Sequence, residues 1–194
     1  MTIAVEAADL LAEIAAGVRG CTQCRLHEKR TNAVPGTGPH TARVLFIGEG
    51  PGEQEDRRGE PFVGAAGQFL DELLASIGLD RGRVFITNVV KCRPPGNRDP
   101  QPDEIAACRE WLDAQIALIS PAVICPLGRH ALTSLVPLRL SISQVHGQRL
   151  EHGGLTFFPL FHPAAALHNG SLRQTQFDDF TELAAYLREQ GLLP

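Results

Sequence analysis

Apolar residues recur along this chain in two periods, and the alternation between them outlines a fold. Over 6–18, Leu10, Leu11, Ile14 and Val18 fall at helical spacing and predict a short amphipathic helix. The run 43–47 (Arg43-Val44-Leu45-Phe46-Ile47) is continuously apolar after its first residue, as in a strand covered on both faces of a parallel sheet. Similar strand runs follow at 84–89, 122–127 and 156–161. Between them, Phe69, Leu70, Leu73, Leu74 and Ile77 mark a helix over 66–77 that Gly78 ends. Ile105, Cys108, Trp111, Leu112, Ile116 and Ile119 mark another over 103–119, with Asp103 and Glu104 in its first turn. Gly128-Arg129-His130-Ala131 opens a short helix, 140–160 reads as strand–turn–strand around Gly153-Gly154, and 174–189 closes the chain as an amphipathic helix. Strands alternating with helices predict a three-layer α/β/α fold around a central, largely parallel four-stranded sheet. With no repeat, low-complexity tract or linker, 1–194 reads as a single domain.

Composition changes this picture little. A hydrophobic content of 43% with 21% charged residues suits a soluble globular protein. No apolar run reaches the ~18 residues that span a bilayer. No basic segment followed by an apolar core opens the chain, so the expectation is a cytoplasmic, monomeric protein with no membrane partner. The net charge of -4 argues against indiscriminate binding to polyanions, while leaving room for a local basic face. Five cysteines in such a chain point to metal ligands or buried thiols rather than disulfides.

The predicted strands end on polar residues. Gly48-Glu49-Gly50-Pro51-Gly52 follows the first strand, and its glycines let the backbone approach a ligand closely. It is a poor dinucleotide fingerprint, because the third glycine is missing and Pro51 breaks the expected helix start. Asn88 ends the second strand, Gly128-Arg129 follows the third, and His162 follows the fourth. In open α/β sheets ligands bind beyond the carboxyl ends of the strands, so these groups imply one pocket. A polar connection, 53–60, and Phe62 in Pro61-Phe62-Val63-Gly64 lie between the first strand and the next helix.

The pocket so assembled has a carboxylate, an amide, an imidazole and an aromatic ring, and no nucleophilic Ser or Cys. An amide donates to one atom and accepts from its neighbour, which is what distinguishing nucleobase edges requires. An aromatic stacks on a base face, and an imidazole stabilises charge on a leaving group. The inventory suits a cleavage that expels a heterocyclic anion. A second constellation is Cys21-Thr22-Gln23-Cys24 with Cys92 and Cys108. Four thiolates fit a [4Fe–4S] cluster or a structural zinc, and spacing does not separate the two. Cys125 lies inside an apolar run and reads as core.

Gly48-Glu49-Gly50-Pro51-Gly52, Pro61-Phe62-Val63-Gly64, Thr87-Asn88-Val89-Val90-Lys91-Cys92-Arg93-Pro94-Pro95 and His162-Pro163-Ala164-Ala165 together resemble the family 4, iron–sulfur uracil-DNA glycosylases, in order from about residue 20 to 190. The resemblance implies a DNA repair enzyme that flips uracil out of single- or double-stranded DNA. It then hydrolyses the N-glycosidic bond and leaves an abasic site. Cys21, Cys24, Cys92 and Cys108 match the ligands of a [4Fe–4S] cluster. Asn88 matches the amide that reads the uracil edge, and cytosine would mismatch it at a cost of ~1–3 kcal/mol. Phe62 matches the stacking aromatic and His162 the donor to uracil O2, while Gly50 and Glu55 belong to the uracil-binding set. Glu49 matches the residue beside the attacking water, making Glu49, Asn88 and His162 the expected catalytic residues. Lys91, Arg93 and Arg98 are expected along the DNA backbone, with Leu167 as the wedge in the vacated stack.

The chain also departs from the family pattern. His168 and His146 stand where the family commonly has Arg, which weakens phosphate contacts near neutral pH. The branch that cross-links to DNA carries an extra basic loop after the Asn motif, which 93–100 lacks. That favours turnover over the rival reading, a non-catalytic or covalently trapping uracil-DNA-binding iron–sulfur protein.

Overall fold

The computed structural model describes residues 2–193, apart from the side chains of 2–5. Helix α1 (Thr2–Gly20) leads through a 3-10 turn (Arg25–Glu28) and a long loop to strand β1 (Val44–Gly48). Then come α2 (Glu53–Arg58), α3 (Ala65–Ser76), β2 (Phe85–Asn88), α4 (Pro102–Ile119), β3 (Val123–Pro126), α5 (Arg129–Leu135) and α6 (Ile142–Val145). The chain finishes with β4 (Leu150–His152), β5 (Leu155–Phe157), α7 (Pro163–His168) and α8 (Ser171–Glu189).

The sheet has five strands in the order β2-β1-β3-β5-β4, parallel except where β4 runs antiparallel to β5 at the edge. The expected four-strand count is therefore one short. The extra strand is half of the hairpin legible around Gly153-Gly154, too short and too exposed to carry the apolar signature of the others. The α/β class and three layers are as expected. β1 is central and buried at every position, as its unbroken apolar run requires. Val44 and Phe46 face a core built with α3 and α8, whereas Leu45 and Ile47 face one built with α1, α4 and α5. Complete burial of a side chain such as Phe46 is worth about 1.5–3 kcal/mol.

Two departures from the sequence reading bear on the pocket. The polar connection 53–60 is mostly helix: α2 has no apolar stripe and is held at its ends. The Glu55 carboxylate reaches back to accept from the N-cap Gly52 N–H, 3.1 Å, and Gly59 closes the other end at φ 73°. Buried Asp56 then takes the Thr31 N–H, 2.9 Å, and the Asn32 N–H, 3.3 Å, tying the loop before β1 onto α2. In register, Gly48 of β1 sits beside Asn88 of β2, so the carboxyl ends of both central strands open onto one rim.

Candidate functional site

A cavity of about 460 Å³ lies at that rim. Glu49, Gly50 and Gly52 come to it from the turn after β1, Asn88 from the end of β2, and Asn97 and Asp99 from the loop after it. Glu55, Phe62 and Ala66 close one side, and His162, Ala164 and His168 of the α7 turn close the other. The structure thus brings together every expected catalytic and uracil-binding residue.

Each is positioned by local chemistry. Phe62 is buried at φ +53°, a left-handed conformation that disfavours a residue with a Cβ. Its neighbours enforce it: Arg81 donates to the carbonyls of Pro61 and Phe62, and Glu55 Oε1 accepts from Val63 N, 2.8 Å, and Gly64 N, 3.0 Å. Gly67 completes the arrangement, because a Cβ there would lie 1.6 Å from the Phe62 carbonyl oxygen. Gly48 plays the matching part on the sheet, where a Cβ would meet Asn88 Oδ1 at 2.3 Å and the Phe62 ring at 2.7 Å. The two glycines let an aromatic ring and an amide converge on the same strand end.

Asn88 is buried, yet among the described residues its side-chain amide has no hydrogen-bond partner within the chain. A buried amide facing a cavity with both ends free is poised for a ligand. His162 lies across the pocket, its ring centroid 5.6 Å from that of Phe62. The Ala164 N–H donates to His162 Nδ1 at 3.1 Å, which leaves the proton on Nε2. Burial pulls the imidazole pKa from 6.5 down to about 4, against a smaller upward pull from Glu55. At neutral pH it is an uncharged Nε2–H donor. Burial also raises the Glu49 pKa; His130 opposes this, Asp99 adds to it and Arg129 opposes it.

The cations after Asn88 depart from expectation, and Lys91 is a correction. Its side chain is 1% exposed, with Nζ donating to Thr87 Oγ1, Asn88 O and Gln115 Oε1 at 2.7, 2.8 and 2.7 Å. It cannot meet DNA, because the chain turns it inward beneath the strand end. Burial draws its ammonium down to about 7, opposed by charge on Cys108. Arg98 grips Glu104 with both terminal nitrogens, 2.8 and 2.6 Å, and Arg25 adds a third contact at 2.9 Å. Arg93 donates to Asn97 Oδ1 at 2.7 Å and lies 3.6 Å from Glu53. Leu167, by contrast, is 48% exposed on α7 beside the pocket. His146 is engaged by Asp179, 2.9 Å, and tilts against Phe161, so it too faces inward.

Cys21, Cys24, Cys92 and Cys108 line a second, enclosed site beneath the same segment, while Cys125 is in the core as expected. Three of the four sulfurs already accept N–H bonds: Cys21 from Trp111 Nε1, 3.3 Å, Cys92 from Arg30 Nη1, 2.9 Å, and Cys108 from Lys91 N, 3.3 Å. Such donors favour thiolates, the form that metals bind. Burial otherwise holds both inner thiols protonated, raising Cys92 and pushing Cys108 up to about 11. Among the described residues, the one trio of candidate ligand atoms within 4.8 Å of one another is Glu49, Asp99 and His130, so no three of these sulfurs are that close together. A single zinc, with Zn–S of about 2.3 Å, would draw tetrahedral thiolates to within about 4 Å of each other. The wider set fits a cluster in which each thiolate binds its own iron.

Sequence reasoning missed Asn97, Asp99 and Ala66 in the pocket, and Glu104, Gln115 and Arg30 behind it. Asn97, in a Pro-Gly-Asn turn, was legible only as loop. Glu104, in the first turn of α4, reaches back to accept from the Gln101 N–H, 2.8 Å, a contact that its helix-dipole position does not reveal in the sequence.

The profile of the uracil DNA glycosylase superfamily matches residues 35–188, which include the whole pocket. The chain belongs to this superfamily. It is 46% identical to a type-4 uracil-DNA glycosylase of Sulfurisphaera tokodaii, over 96% of this chain and 87% of that protein. It is 45% identical to one of Thermotoga maritima, over 94% and 97%, and 47% identical to one of Saccharolobus solfataricus, over 95% and 89%. The superfamily fold agrees with the sheet described above. Among the described residues no helix is long and apolar enough to cross a membrane.

Proposed function

We propose that this chain excises uracil from single- or double-stranded DNA, releasing the free base and leaving an abasic site. The observation that carries the reading is the unpartnered Asn88 amide, set in one cavity with Phe62 and a neutral His162. A base reaches such a cavity only by leaving the helical stack. Phe62 offers it a face, and Asn88 accepts from uracil N3–H while donating to O4. Cytosine presents the reverse pattern. His162 Nε2–H donates to O2 and keeps its proton.

As the C1′–N1 bond breaks, its electron pair leaves on uracil, and charge accumulates at the oxygen that His162 faces. A preorganised neutral donor of this kind is worth about 10²–10³ in rate. Water then adds to the cationic sugar carbon and gives its proton to Glu49, whose burial makes it a stronger base than a solvated carboxylate. Glu55 acts through the loop, since its two oxygens hold Gly52, Val63 and Gly64. Leu167 fills the space the base leaves. Arg93 and Arg98, already paired within the chain, meet phosphate only by exchanging those partners.

Cys21, Cys24, Cys92 and Cys108 would hold a [4Fe–4S] cluster, a reading supported by their lining one site and by the N–H donors to three of their sulfurs. When bound, the cluster supplies a covalent tie between the α1 end, α4 and the segment carrying Asn88. The assay is incubation with uracil-containing single- and double-stranded oligonucleotides followed by alkali. Strand scission by wild type, strongly slowed but still measurable with excess enzyme in Asn88→Ala, is the expected result. An absence of scission with brown, iron-loaded protein refutes the reading, and a denaturation-resistant protein–DNA band would replace it with covalent trapping.

A further inference from the structure

Lys91 is the most deeply buried cation of the chain's pocket region, and nothing in the proposed chemistry uses it. An ammonium has three donors, and here each finds one acceptor: Thr87 Oγ1, Asn88 O and Gln115 Oε1. Among the described residues no carboxylate pairs with it. The group nearest in charge is the cysteine site, since the Lys91 backbone N–H donates to Cys108 Sγ. Gln115 and Cys108 lie seven residues apart, two turns along one face of α4. That helix therefore holds Lys91 at both ends, by its ammonium and by its amide. Gln115 is fixed in turn, donating to Pro35 O at 2.6 Å, an oxygen that Thr87 Oγ1 also contacts at 3.0 Å.

This arrangement has a direction. Beyond Asn88 the ladder continues only as the Val89 and Val90 amides donating to Gly48 O and Glu49 O. The Asn88 carbonyl has turned off the sheet to Lys91. We propose that Lys91 is a positioning residue for base selection: its ammonium clamps the Asn88 backbone to α4, fixing where the free amide points in the pocket. A buried charge is expensive, and an apolar side chain would pack there at lower cost unless the charge fixed a geometry. The clamp also gives the cysteine site a physical route to the base-reading amide, through α4 and not through DNA. The inference rests on the uracil-excision reading, and its test separates the two.

The experiment compares wild type, Lys91→Met, Asn88→Ala and the double variant in single-turnover excision from a uracil oligonucleotide, with cluster content followed by visible absorbance. Lys91→Met is expected to slow excision roughly 10-fold or more in the wild-type background and to have little further effect in Asn88→Ala. The slope of log Kd against log salt for oligonucleotide binding should not change, whereas loss of a phosphate-binding lysine lowers it by about one. Equal slowing in both backgrounds would reduce Lys91 to general support and overturn the proposal. So would a lowered salt slope with an unchanged rate.

Thr87→Val keeps the ammonium and removes one acceptor, and it serves if Lys91→Met fails to load the cluster. It should slow excision less than Lys91→Met but in the same Asn88-dependent way, and an unchanged rate counts against the clamp. Hydrogen exchange over residues 85–91 adds a readout independent of turnover. Exchange should rise there in the variants while α8 stays protected, and unchanged exchange in that segment overturns the clamp. Failure of wild type to release uracil would instead refute the functional reading.

Discussion

His162 can be tested through stability, without any substrate. Its imidazole pKa is about 4 in the folded protein against 6.5 for the ordinary group, because burial disfavours the charged ring. Between these values the unfolded chain binds a proton that the folded chain refuses. Stability therefore rises with pH across this window and is lost as pH falls through it. The loss attributable to His162 is about 2 kcal/mol by pH 5 and about 3 kcal/mol by pH 4, since each tenfold difference in proton affinity between the folded and unfolded chain is worth about 1.36 kcal/mol. His162→Gln removes the titration while keeping a polar side chain. Other titrating groups are shared by both proteins and cancel in the difference. Urea unfolding at pH 7, 6, 5 and 4 should show wild type losing stability faster than the variant, with the gap opening below pH 6.5. Parallel curves would refute the claim that His162 is held neutral. In the same protein the excision rate should stay flat through pH 6.5, since the Nε2–H donor is already uncharged there. A rate step near pH 6.5 that His162→Gln abolishes would point to an ordinary solvated histidine.

Three further outcomes follow from the surroundings of the pocket. Cys108→Ser should give protein depleted of iron and acid-labile sulfide, with a lowered Tm and lost excision; full activity in iron-free protein would break the link between cluster and pocket. Glu104→Gln removes the buried carboxylate that the partly solvated Arg98 and Arg25 share and should lower stability in chemical unfolding. Because Arg98 holds the Glu104 pKa down at about 2, this contribution is present above pH 4.5 and disappears only as pH falls towards 2; a variant as stable as wild type at pH 7 would refute it. Leu167→Ala, at an exposed position, should change stability by less than about 0.5 kcal/mol yet slow excision from duplex more than from single strands. Equal slowing on both substrates would remove Leu167 as the wedge.

What the sequence disclosed follows from which interactions are local. Val44-Leu45-Phe46-Ile47 is apolar without interruption because both faces are covered, and that burial is written in the residues themselves. The polar groups at strand ends were legible for the same reason, since strand direction alone carries them to one rim. Helix α2 was not legible, because Glu53-Gln54-Glu55-Asp56-Arg57-Arg58 has no apolar stripe and owes its form to caps and to Asp56 holding a loop some 25 residues away. The Phe62 conformation was equally hidden, resting on Arg81, Glu55 and Gly67 from three other places in the chain.

Lys91 shows why charge alone misleads in such a reading. A lysine among Arg93, Arg98 and a cysteine reads as part of a phosphate track, since lone buried lysines are rare. Yet Thr87, Asn88 and Lys91 are spaced so that a tight turn after β2 returns the ammonium onto the residues just passed, with Gln115 completing the set. Arg98 and Arg93 are likewise engaged within the chain, by Glu104, Asn97 and Glu53. The three cations after Asn88 are thus all engaged within the chain before any DNA is met. This accords with a net charge of -4. A protein that must search long polyanions without sticking to them gains discrimination from a rigid, exacting pocket more than from a strongly basic surface.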